Sequence, residues 1–158
     1  MEGEAISQPV AQNPENQKIA DDFLSFLAST IDNECEKLYT FALDALTFAN
    51  KVQIWHWTCG SGFHHTHFEE IYDAIRDFAD KLVETVLSMG YEFKLQSKSY
   101  LINDEKYDLS AALRKLQAFR DELEQYKKQY SSKISLENLF ADTIEKLDRE
   151  LGLIKNFS

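Results

Sequence analysis

The chain has 158 residues with 44% hydrophobic and 13% aromatic content, enough for one domain with a real core. Twenty-seven acidic against 17 basic residues give a net charge of −10, which disfavours general attraction to nucleic acid or anionic lipid and favours cations as guests. Two cysteines, Cys35 and Cys59, are too few for a disulfide scaffold, and with no signal-peptide pattern and no apolar run of about 18 residues the expectation is a cytoplasmic protein without membrane contact.

In chain order, residues 1–16 carry Pro9, Pro14 and three Glu with no Lys or Arg, and read as a flexible acidic tail. From about Gln17 to Trp57, residues Ile19, Phe23, Phe26, Leu27, Ile31, Leu38, Phe41, Ala42, Ala45 and Ala49 recur at steps of three and four, predicting one long helix. The CGSG at 59–62 breaks it, because glycine favours a turn over continued helix. A second helix is expected from Phe63 to Met89, stopped by Gly90. Tyr91 to Lys106 reads as an irregular crossover with room for a short helix. Asp108 is placed to cap a third helix with a 3-4 seam from Leu109 to Tyr130, and Ser135 to cap a fourth running from Leu136 to Phe157. Strand-like alternation is absent. Residues 17–158 therefore read as one all-α domain, a four-helix bundle with a long crossover between helices two and three, the ferritin-like connectivity.

All four histidines lie within Ile54–Glu70, IWHWTCGSGFHHTHFEE. On a helical wheel the second helix buries Phe68, Ile71, Ile75, Ala79, Leu82 and Val86, while His65, Glu69, Asp80 and Glu84 share a stripe rotated by roughly 130°. They form two i,i+4 pairs, each spaced to aim two metal ligands at one spot. Glu69 and Asp80 are eleven residues apart, about 16 Å along a helix, too far for one ion to reach both pairs on one chain. Two such helices packed antiparallel across a two-fold axis would join the upper pair of one to the lower pair of the other. Against this stands the bland reading: acids on a helix are usually a solvated face, Arg76 could pair with one of them, His64 and His67 are expected at the surface, Trp57 in an interface or core, and Cys59 outside the ligand set.

The segments HW, HxxFEExY and DKLVETVLSMG, with the final TIEKLDRELGLIKNF, resemble the Dps miniferritins, the ferritin-like proteins that store iron and protect DNA. The resemblance implies a ferroxidase site of His56, His65 and Glu69 from one chain with Asp80 and Glu84 from its partner. It also implies a two-fold dimer within a twelve-subunit homo-oligomer, and Fe(II) oxidised there by hydrogen peroxide or dioxygen and stored, with zinc or manganese as substitutes. The chain departs from the family in a loop about three residues shorter, Glu69 in place of Asp, Gly152 in place of Trp, and a crossover lacking the usual glycines and proline. It has no lysine-rich tail, so DNA binding is not expected. Two other functions fit the residues: a structural assembly protein with a vestigial site, and a di-metal oxidase inside one bundle, which the lack of histidine on helices three and four disfavours.

Overall fold

A computed structural model describes residues 14–92 and 106–157. Among these the chain is all-helical: α1 (Pro14–Thr58), α2 (Gly62–Ser88), α3 (Leu109–Gln129) and α4 (Ile134–Phe157). None of these helices is long and apolar enough to cross a membrane. The chain divides into two compact units, Met1–Glu34 and Cys35–Ser158.

In the first unit, Pro14–Glu34 is helix throughout. It starts inside the expected acidic tail because proline at a first helical position gives up no hydrogen bond and presets φ; residues 1–13 of that expectation lie outside the described residues. Ile19, Phe23, Leu24, Phe26, Leu27 and Ile31 are all exposed. The helix expected from their spacing is present, and in the single chain this part of its apolar stripe lies outside the core.

The second unit holds the core. Phe41 of α1 stacks on Tyr126 of α3 at 4.3 Å between ring centroids and lies 5.8 Å from Phe78 of α2 and 6.4 Å from Phe140 of α4, so one ring touches all three partner helices. Ala42, Ala45 and Ala49, all fully buried, keep the α1 backbone close to its neighbours. Pair positions give the helix directions. Along α1 and α2, Trp55 meets Phe68 and Phe41 meets Phe78; along α2 and α4, His67 meets Glu150 and Asp77 meets Lys146. Phe48 meets Phe119 while Phe41 meets Tyr126, and Arg120 meets Asp148. Thus α1 and α4 both run antiparallel to α2 and α3, and α2 is parallel to α3. Short turns suffice for α1–α2 and α3–α4, whereas the chain between Ser88 and Leu109 joins opposite ends of the bundle. Most of the expected irregular crossover, residues 93–105, lies outside the described residues.

The helix ends follow local chemistry. Ser61, extended at φ −125°, accepts the His64 N–H on its side chain, and Gly60 supplies the positive φ of 65° the turn requires. Gly90, at φ 85°, ends α2 as expected. Asp108 caps α3 through Ala111 N–H at 2.6 Å. The fourth cap differs from expectation: α4 opens at Ile134, with the Lys133 carbonyl accepting from Glu137 N–H at 2.9 Å, so Ser135 lies inside the helix.

Candidate metal centre

The three-residue turn returns the chain so that the end of α1 and the first turn of α2 face each other. There the His56 and His65 rings stack, with centroids 3.5 Å apart and planes inclined by 27°. His56 Nδ1–H donates to the His65 carbonyl at 2.8 Å, and His65 Nδ1–H donates to the His56 carbonyl at the same distance. A carbonyl can only accept, so each Nδ1 carries a proton, which leaves Nε2 as the nitrogen through which either ring would bind a cation. Metal-ligating histidines are oriented in this way, by a backbone acceptor on the other nitrogen. His56 is only 7% exposed, whereas His65 is open to solvent.

One turn further along α2, Glu69 completes the group: one ligand atom from each of His56, His65 and Glu69 lies within 4.8 Å of the others. Two donors on one ion with bonds near 2.0–2.2 Å stand at most about 4.4 Å apart, so a small side-chain rotation closes the set on a cation. Two imidazoles and a carboxylate suit iron, manganese or zinc. Tyr72 lies edge-on to His56 at 5.4 Å, and burial, with Asp73 and Glu69 beside it, raises its phenol pKa and keeps it neutral. Among the described residues Arg76 pairs with no carboxylate. It donates to Gln53 Oε1 at 2.6 Å and Asn50 Oδ1 at 3.2 Å across to α1 and stacks over Tyr72 at 4.8 Å, leaving Glu69 without a hydrogen bond or ion pair among the described residues.

Asp80 and Glu84 do not join this group; both are exposed on the later turns of α2. A single chain thus brings together three of the five expected ligands and leaves two on the same helix facing solvent.

The other residues of the motif divide differently from expectation. His67 is not a surface residue: it is half-buried and donates Nδ1–H to Glu150 Oε2 at 2.7 Å, while Glu150 Oε1 accepts from Arg149 Nε–H at 2.9 Å. Glu150 is itself 5% exposed, so this contact fixes the start of α2 to the end of α4. Glu150 was missed as a residue of consequence, although an acid on the apolar stripe Thr143, Leu147, Ile154 was the available signal. His64 is half-buried against Phe63 and Phe68 and outside the metal group. Trp57 is 65% exposed and so is not core in the single chain; Trp55 fills the core instead, against Phe48 and Phe68. Cys59 turns its thiol to the His56 and Ser61 carbonyls at 3.5 Å and contributes no ligand to the group.

No known protein family, curated protein or solved structure matches the chain.

Proposed function

We propose that this protein is a ferritin-like, Dps-type miniferritin that takes Fe(II) as substrate and oxidises it at a site shared between two copies. The observation that carries the reading is the stacked His56 and His65 pair, each ring held by the other residue's carbonyl, with Glu69 one turn away. The parallel α2 and α3 joined by a long connection support the fold half of the reading. Three ligands from one chain leave an ion with open positions. Asp80 and Glu84 of a second copy, on an antiparallel α2, would bring two more carboxylates to it, and the two-fold axis makes two equivalent sites. Each Fe(II) gives up one electron; one hydrogen peroxide takes two, consumes two protons and leaves as two waters. Dioxygen is the alternative oxidant. The acidic surface concentrates cations near the site, and the Fe(III) formed is stored in a hollow homo-oligomer of twelve copies.

Stopped-flow Fe(II) oxidation tests this. His65→Ala and Glu84→Ala each abolish the fast phase, and His64→Ala retains it. Unchanged fast oxidation in both variants would leave the vestigial-site assembly protein as the better account. Duplex DNA is not a partner: with a net charge of −10, no electrophoretic shift is expected at about 150 mM salt.

A further inference from the structure

Pro14–Glu34 is a helix with two faces. Ile19, Phe23, Phe26 and Thr30 recur at 4-3-4 spacing, and Ala20, Leu24, Leu27 and Ile31 repeat the same spacing one residue on. Together they form an apolar arc about 160° wide, while Lys18, Asp21, Asp22, Ser25, Ser29 and Asp32 fill the opposite side. The second seam keeps its step of three and four through Glu34 into Leu38, Phe41, Ala45, Phe48, Val52 and Trp55, all buried or partly buried in the core of the second unit. The same register therefore meets helix partners from Leu38 onward, whereas before Glu34 its large apolar members are exposed: Phe23 by 59% and Phe26 by 65%.

We infer that this segment is a self-association surface whose occupant is the same segment of a second copy. The exposed area of its six large apolar side chains is on the order of 700 Å², close to the roughly 800 Å² per partner of a stable protein interface. Two parallel seams suit packing against helices of like pattern, as in a small bundle. The rim excludes the competing surface: five acids against one Lys in residues 14–34 repel an anionic membrane, where a surface-seeking helix carries Lys and Arg. Like charge on both rims also sets a signature. Association between two copies tightens as salt rises, because salt screens the repulsion and leaves apolar burial intact.

Sedimentation velocity of the full chain at micromolar concentration, from low to high salt, tests the inference. The wild type is expected to associate, more tightly at high salt. Leu24→Gln, Leu27→Gln and Ile31→Gln combined keep a good helix former at each position and should weaken one association step at least about tenfold. Leu24→Met, Leu27→Met and Ile31→Met combined should keep it, as should Ser25→Ala with Ser29→Ala on the opposite face. Identical size distributions for the wild type and the glutamine variant, in whatever state, would overturn the inference. So would loss of association in the methionine variant, or wild-type association that weakens as salt rises, the mark of a partner of opposite charge.

Discussion

The two halves of the exposed face of α2 carry the same spacing, His65 with Glu69 and Asp80 with Glu84, yet they differ in everything around them. The first pair meets His56 from α1 and is flanked by clamps on both sides, the reciprocal carbonyl bonds to α1 and the His67–Glu150 contact to α4. Around the second pair stands an exposed Lys81–Asp77 ion pair, and among the described residues no third ligand approaches it. Spacing alone thus does not make a metal site; a second element must deliver a ligand and fix the orientation of the first. Among the described residues of the single chain, only the first half of the face has that support.

The largest expected effect follows directly. His56→Ala or His65→Ala is expected to lower the affinity for Co(II), a spectroscopic stand-in for Fe(II), by about 100-fold, while Asp80→Ala, whose carboxylate would reach the ion only in the proposed two-chain site, is expected to lower it by about tenfold. Spectroscopic titration of each variant reads the difference; equal losses would erase the contrast between the two halves. Next in size is stability. His67→Ala removes the α2 hydrogen bond of the buried Glu150, which keeps only Arg149, and is expected to cost about 2 kcal/mol in urea unfolding, whereas Lys81→Ala, removing an exposed pair, is expected to leave the urea midpoint unchanged.

The smallest effect concerns Tyr107, whose ring packs edge-on to Phe68 near the same end of α2. Its hydroxyl is buried with no hydrogen-bond partner among the described residues, and burial pushes its pKa from 10.0 up to about 12. The folded state holds this proton more tightly than the unfolded chain does. The resulting contribution is fully present below about pH 10 and is lost as pH rises through 12. Tyr107→Phe should reduce the fall in stability between pH 10 and 12 and leave stability at pH 7 unchanged or slightly higher, by thermal melting across that range.

Among the described residues, helix number, order and most boundaries were legible in the sequence because steps of three and four, Gly90 and Asp108 act locally. The register of α2 likewise placed Phe68, Ile71, Ile75, Ala79, Leu82 and Val86 inside and His65 beside Glu69 outside. What the sequence withheld depends on distant pairs. The Glu150 partner of His67 lies 83 residues away, and the amides that draw Arg76 off the carboxylates sit on a different helix. The carbonyls that orient His56 and His65 are backbone atoms, invisible to any residue pattern. Exposure of Ile19 to Ile31 was equally hidden, since an apolar stripe looks the same whether or not its partner belongs to the same chain.

The measurement that bears most directly on the proposed two-chain site is complementation. His65→Ala and Glu84→Ala proteins, each inactive alone, are mixed under conditions of subunit exchange and assayed for rapid Fe(II) oxidation. In a mixed pair one site collects both substitutions and the other neither, so a two-chain site predicts recovery to about one quarter of the wild-type rate at equal mixing. No recovery, with exchange verified by native mass measurement, would contradict it and place the chemistry within one chain.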